Sequence, residues 1–394
     1  MKKNILFAQS GGPTQVINAS CYGIIKEAKK HDDMKIYAAR YGVEGILSEN
    51  IIEVTDIDDG SLEILRFSPS AAFGSCRHKL KDDEFEKVLE VFLKHDIGYF
   101  LYIGGNDSMD TANRFSEYIA KNGYDIKVIG IPKTIDNDLL NTHFCPGYGS
   151  AAKYIATSIK EMDFDANVYE KNIITIVEVM GRDSGFLAAS SALARDESVE
   201  SPHLIYLPEI PFNEEEFLQE VSDVYQERGK VLITASEGLK DEQGNYIFLR
   251  EKKADKFGNI QMGGVGKYLE SIVKENIADR VKTIEFSVLQ RCAAHAASKT
   301  DNDAAAMVGS AGVRYALEGC SDVMVSIIKN NDSFSTTITP LKDVALGVKT
   351  FPKEWIDGKN RWVTKEAIDY MAPLIQGEAK PIFKNGLPKY LRFI

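Results

Sequence analysis

Ile131-Pro132-Lys133-Thr134-Ile135-Asp136-Asn137-Asp138 completes the apolar run Ile126 to Ile131 and then sets a cation, a hydroxyl and two carboxylates within six residues. A short continuous apolar run ending in such a loop reads as a strand buried on both faces, with chemistry at its carboxyl end. A second run, Gly98 to Ile103, leads into Gly104-Gly105-Asn106-Asp107-Ser108. Between the two lies the helical stretch Ser108 to Lys121. Strand, polar loop, helix and strand again predict an α/β fold with a largely parallel sheet, and the two loops are expected to share one cleft.

The alternation extends outward in both directions. Asn4 to Ala8 and Lys35 to Ala39 read as strands, and Thr14 to Lys30 as a helix. Asp82 to Lys94 is a second helix, with Phe85, Val88, Leu89 and Phe92 at helical spacing. A second doubly wound unit is expected to begin near Pro146-Gly147. It comprises helices at Ser150 to Met162, Gly185 to Ala194, Glu214 to Arg228 and Val265 to Asn276. Its strands are Asn172 to Val179, Leu204 to Leu207, Lys230 to Thr234 and Thr283 to Leu289. Ser298 to Leu317 reads as a helix, and Val323 to Ile328 with Ser333 to Ile338 as a closing strand pair. The stretch from about Leu341, with Pro352, Pro373, Pro381 and Pro388, carries no readable chemistry.

Composition bounds the function. At 394 residues, two domains are expected. With 27% charged and 44% hydrophobic residues, the chain can bury a core. A net charge of −11 argues against nonspecific nucleic-acid or membrane binding while leaving room for a local anion pocket. The apolar stretch after Lys2-Lys3 is too short for a signal segment, so a cytoplasmic protein is expected. Five cysteines without a C-x-x-C pair read as reduced, mostly buried thiols, and six histidines without metal-binding spacing argue against zinc.

Several loops carry candidate chemistry. Gln9-Ser10-Gly11-Gly12-Pro13 opens a helix amino terminus and serves either as a phosphate cradle or as a tight turn. The second turn, Gly104-Gly105, favours the phosphate reading. Asn106 and Asp107 offer oxygens to a hydrated magnesium ion, or cap the next helix with Ser108. Asp136 and Asp138 offer a general base and an anchor, or an Asx-turn. Lys133 tips this balance, since between two phosphate-cradling loops it would neutralise a transferring phosphoryl group. Gly147-Tyr148-Gly149-Ser150-Ala151-Ala152 fits the dinucleotide fingerprint only formally, because no strand leads into it. Met180-Gly181-Arg182 follows a strand, and Arg182 could fork onto a phosphate or sugar oxygen. Glu237 follows another strand and could accept from sugar hydroxyls. Arg280, Lys282 and Arg291, taken singly, read as solvated charges.

Together these motifs closely resemble the phosphofructokinases, from residue 4 to about residue 310. The carrying residues are Ser10-Gly11-Gly12, Gly104 to Ser108, Pro132 to Asp138, Met180-Gly181-Arg182, Glu237-Gly238 and Leu289-Gln290-Arg291. The resemblance implies two Rossmann-like domains, magnesium (Mg2+), and phosphoryl transfer to the 1-hydroxyl of fructose 6-phosphate. Residues 1–146 with about 291–340 would form the phosphoryl-donor domain and 147–290 the sugar-phosphate domain. The stretch 341–394 would be an extension of unknown role. Asp107 and Lys133 stand where ATP-using members usually carry glycine, so the resemblance favours diphosphate as donor. An aspartate there would repel the nucleotide's α-phosphate region, and the lysine supplies positive charge for diphosphate.

By the same resemblance Asp136 is the base, Lys133 stabilises the transition state, and Asp138 supports the loop and the metal. Gly11, Gly12, Arg77, Gly105 and Asp107 line the donor. Thr134, Ile135, Asp136, Met180, Gly181, Arg182 and Glu237 bind fructose 6-phosphate, with Lys282 and Arg291 as candidates for its 6-phosphate. Two departures stand out. Asn106 replaces the usual aspartate, leaving a neutral metal ligand, and Cys292-Ala293 replaces the usual glycines, with His295 a candidate substitute. A homo-oligomer, a dimer, is implied. The nearest rival is an ATP-dependent or mixed-donor kinase of the same fold; a non-catalytic regulatory subunit that binds sugar phosphate would be expected to lack Asp136 or Lys133, and a Rossmann oxidoreductase would need a better dinucleotide fingerprint.

Overall fold

The structure is a computed structural model that describes residues 3–250, 264–331 and 333–394. In chain order its principal strands are β1 (Asn4–Gln9), β2 (Ile36–Ala39), β3 (Ile51–Glu53), β4 (Ile97–Gly104), β5 (Lys127–Pro132), β6 (Ile173–Val179), β7 (Leu204–Tyr206), β8 (Lys230–Ser236), β9 (Val281–Glu285), β10 (Val323–Asn330) and β11 (Ser333–Pro340). The chain divides into two units. One comprises Met1–Ser150, Arg291–Lys349 and Gln376–Ile394; the other comprises Ala151–Gln290 and Thr350–Ile375.

The first unit holds a seven-stranded sheet in the order β11-β10-β5-β4-β1-β2-β3. Its five central strands run parallel, and the antiparallel strands β3 and β11 form the edges. Ile5 to Ala8, Phe100 to Ile103 and Val128 to Ile131 are buried almost without interruption, which explains their unalternating sequence. From β1 the chain winds outward to β2, whereas β4 returns to the other flank of β1. The strand order therefore reverses between β1 and β4, which opens a crevice beyond their carboxyl ends. Register brings the loops level there, since Gln9 pairs with Ile103 and Gly104 with Pro132.

The second unit holds a parallel four-stranded sheet in the order β7-β8-β6-β9. β6 leads on to β7 at one edge and β8 to β9 at the other. Val179 and Ser236 are paired, so the loops opening at Met180 and Glu237 start side by side. A core of Ile174, Ile176, Phe217, Ile233, Leu269 and Val273 sits between this sheet and its helices.

Several boundaries differ from expectation. The first helix begins at Ile17, not Thr14, and the helix after β4 begins at Asn106, not Ser108. β9 ends at Glu285; Ser287 takes a positive φ and Leu289–Cys292 is a helical turn rather than the end of a strand. The helices Gly42–Leu47 and Asp59–Arg66, with β3 between them, were not anticipated. The 341–394 stretch is shared out, with 350–375 in the second unit and the remainder in the first. All five cysteines are free, three buried and two half-buried. Among the described residues no helix is long and apolar enough to cross a membrane.

Candidate active site

In the first unit three loops converge at the crevice. The turn after β1 is tight because Gly11 adopts φ +73°, a conformation L side chains seldom take. Its carbonyl accepts from Ser75 Oγ at 2.7 Å and its N–H donates to Cys76 O at 3.0 Å, which ties the turn to the segment before Arg77. Behind it, Ser108 Oγ and Tyr102 OH both donate to Ser10 Oγ, at 2.9 and 3.0 Å.

Lys133 is only 3% exposed and donates from Nζ to Gly12 O at 2.8 Å. A Cβ on Gly11 would lie 3.4 Å from that same Nζ, and one on Gly12 would lie 3.1 Å from Arg291 Nη1. Burial pulls the Lys133 pKa down to about 8; Asp136 and Asp138 oppose this, and Arg291 and Arg77 add to it. Three cations therefore gather at the double-glycine turn. Arg291, a sequence candidate for the sugar 6-phosphate, stands beside Gly12.

The loop after β5 is tied down by hydrogen bonds. Lys133 N–H donates to Gly104 O, and Thr134 N–H donates to Pro146 O at 3.2 Å. Asp136 N–H donates to Thr134 Oγ1 at 3.1 Å, and Asn137, at φ +57°, accepts Cys145 N–H at 2.9 Å. Asn137 thus secures the backbone, as the Asx-turn reading expects, and Asp136 is half-buried near the lysine. Ile135 is buried.

Asn106 Nδ2 donates to Asp138 Oδ2 at 2.7 Å. The other oxygen of each residue, Asn106 Oδ1 and Asp138 Oδ1, is buried with no hydrogen-bond partner among the described residues. Burial raises the Asp138 pKa, against the Thr134 hydroxyl and Lys133. Two orphaned hard oxygens side by side fit a magnesium ion that takes few protein ligands and keeps water and phosphate for the rest.

Gly105 is the N-cap of the helix, and neither Asn106 nor Asp107 caps it with its side chain. Asp107 is exposed in the first turn and pairs with Lys79 at 2.7 Å, a contact worth under about 1 kcal/mol. Lys349 escaped sequence reading. It is half-buried against the acidic loop, with its N–H on Asp138 O at 2.8 Å and Nζ 3.3–3.5 Å from Asn137 Oδ1 and the carbonyls of Thr142 and His143. Only its position among the prolines of the tail could have drawn attention to it.

In the second unit, Met180 N–H donates to Gln290 Oε1 at 3.2 Å. Gly181 takes φ +122°, with its carbonyl accepting from Ser236 Oγ at 2.6 Å. A Cβ on Gly238 would come within 1.9 Å of Arg182 O, so the two loops are packed backbone to backbone. Arg182 itself is exposed and Glu237 half-buried. Glu237 N–H donates to Val179 O at 2.8 Å. Lys282 is an exposed residue of β9, and His295 is exposed in the first unit.

The Phosphofructokinase family model matches residues 4–316. The chain is 40% identical over 401 residues to a pyrophosphate–fructose 6-phosphate 1-phosphotransferase of Methylococcus capsulatus, covering 99% of this chain and 95% of that one. It is 41% identical to the protein of that name in Halomonas elongata, over 98% of this chain and 95% of the relative. The crystal structure of a pyrophosphate-dependent phosphofructokinase from Marinobacter aquaeolei superposes with a TM-score of 0.90 at 40% identity, covering 99% of this chain and 95% of that one. The double-glycine turn, the 104–108 loop and the 133–138 loop all fall within the matched span, and the chain belongs to the phosphofructokinase family.

Proposed function

We propose that the protein transfers a phosphoryl group reversibly from diphosphate to the 1-hydroxyl of fructose 6-phosphate, giving fructose 1,6-bisphosphate and phosphate. The observation that carries the choice of donor is the buried Lys133 ammonium beside Gly11 and Gly12, with Arg77 and Arg291 near it. Such a cluster suits a small, dense polyanion. Asp107 at the start of the adjoining helix disfavours the longer chain of phosphates in ATP.

In this reading Gly11, Gly12, Gly105, Arg77 and Asp107 surround the donor. Asp136 takes the proton from the sugar 1-hydroxyl as its oxygen bonds to phosphorus; the bridging P–O bond of diphosphate breaks and phosphate leaves. Lys133 balances the charge that builds on the transferred group. Thr134 and Ile135 flank the sugar. Met180, Gly181, Arg182 and Glu237 hold fructose 6-phosphate, with Lys282 and Arg291 proposed for its 6-phosphate. Mg2+, when bound at Asn106 and Asp138, would neutralise charge on the diphosphate oxygens. Asn106 and Asp138 orient each other through their mutual hydrogen bond. The protein is taken to act in the cytoplasm as a homodimer.

Purified protein assayed with each donor tests the proposal. Turnover with diphosphate and little with ATP is expected, and robust turnover with ATP alone would overturn it. Asp136→Ala should lower kcat at least about a hundredfold with little change in KM. Near-normal kcat in that variant removes Asp136 from the role of base.

A further inference from the structure

Residues 391–394 return to the segment 68–76 within the same unit. Leu391 N–H donates to Ser68 Oγ at 2.9 Å and Phe393 N–H to Ala72 O at 2.8 Å. The Phe393 ring stacks on the fully buried Phe73, with centroids 4.6 Å apart and planes within 1°. Phe73 also meets Phe7 of β1 edge-on at 5.2 Å. A Cβ on Gly74 would lie 3.1 Å from Ile394 Cγ2, so Ile394 lies close over this turn.

The segment beneath is strung between β1 and the first helix. Phe73 N–H donates to Gln9 Oε1 and Ala72 N–H to Asn18 Oδ1, both at 3.0 Å. Asn18 Nδ2 donates to the carbonyls of Ser68 and Ser70, each at 2.8 Å. The next two residues, Ser75 and Cys76, are those that bond both sides of Gly11, and Arg77 follows them. One continuous set of contacts therefore runs from Phe393 through Phe73 to the Gly11 turn and Arg77. Without the ring above it, Phe73 would keep its hydrogen bonds to β1 and lose one of the two aromatic contacts that fix its ring.

We propose that residues 391–394 form a clasp on the donor loop, in which Phe393 is a positioning residue: its stack on Phe73 sets the Gly11 turn and Arg77 for the phosphoryl donor. This role rests on the donor reading given above. It assigns a function to a segment outside residues 4–316, where the family model matches. Small displacements of a positioned group cost up to about a hundredfold in rate, so an effect near tenfold is expected from losing one stacked ring.

The full chain, Phe393→Ala, Phe393→Tyr and a deletion of residues 391–394 would be compared by steady-state kinetics, diphosphate calorimetry and thermal melting. Phe393→Ala and the deletion should raise KM and Kd for diphosphate about tenfold while KM for fructose 6-phosphate stays within about twofold; Phe393→Tyr should restore the donor values. Unchanged diphosphate KM in Phe393→Ala overturns the clasp. So does a parallel loss in both KM values and kcat that tracks a lowered Tm, which would make the contact purely structural. If the deletion fails to fold, Phe393→Ala decides. Should the unaltered chain use ATP and not diphosphate, the donor reading fails by itself, and the same variants tested with ATP still decide on the clasp.

Discussion

Lys133 carries its charge at a cost. In the unfolded chain it would titrate near 10.5, and burial brings it to about 8, so between these values the unfolded chain binds more protons. The stability penalty of the buried cation is thus present below pH 8 and is relieved as pH rises through that window. Function runs the other way, because the neutral amine above pH 8 no longer attracts phosphate. The kcat/KM for diphosphate is expected to fall on an alkaline limb with an apparent pKa near 8, and Lys133→Arg, whose guanidinium stays charged, should lose that limb. Measuring both proteins over the same pH range cancels the titration of the substrate itself. An unchanged limb in Lys133→Arg would assign it to another group. Lys133 could be singled out in the sequence because it follows β5 directly, and Asp107 because it stands three residues after β4. Lys349 was not, since nothing local links a lysine of the tail to a loop some two hundred residues earlier.

Elements were legible where burial wrote a pattern. The unbroken apolar runs of β4 and β5 identify parallel strands, and Glu214–Arg228 and Val265–Asn276 fall where helical spacing puts them. The ends were harder, because they are decided by single side chains. Thr14 Oγ1 accepts Val16 N–H and holds the chain out of the helix until Ile17. Asp301 is the strongest case. Fully buried at the start of the helix Lys299–Leu317, it accepts from Gly147 N–H at 3.0 Å and Ser150 N–H at 2.9 Å. It thereby caps the helix Tyr148–Asn167, and Gly147, immediately before that helix, bridges to Thr134 of the candidate active site. Asp301→Ala would strand both N–H groups without a partner, at roughly 1–3 kcal/mol each. A loss of about 3 kcal/mol, seen as a clearly lower Tm with a smaller loss in Asp301→Asn, is the expected outcome. A Tm equal to that of the unaltered protein would show that the helix start needs no such anchor.

At the scale of the molecule, the two units use one device, a parallel sheet with its loops gathered at the strand ends, and both sheets could be anticipated from the alternation of runs. The tail could not. Its helix Lys365–Met371 and its strand pairs of two residues each are too short for a period of 3.6 or 2 to stand out in the sequence. Within the second unit, Phe351 is fully buried against Phe186 at 5.1 Å, and its N–H donates to Glu209 Oε1 at 2.8 Å; the same oxygen accepts Gly185 N–H at 2.8 Å. Arg361 bonds Glu220 at 2.8 Å and Glu216 at 3.0 Å and lies over the Tyr206 ring. The loop that follows Met180 is thus held by the tail as well as by its own sheet. Phe351→Ala should cost about 3–5 kcal/mol through the cavity it leaves. Ending the chain after Lys349 removes every one of these contacts at once and uncovers Phe186 and Tyr206. Limited proteolysis should then cut between residues 186 and 220 in the shortened chain while the full chain resists. A shortened chain that keeps the resistance of the full one between residues 186 and 220 would show that residues 350–375 merely rest on a unit that is stable without them.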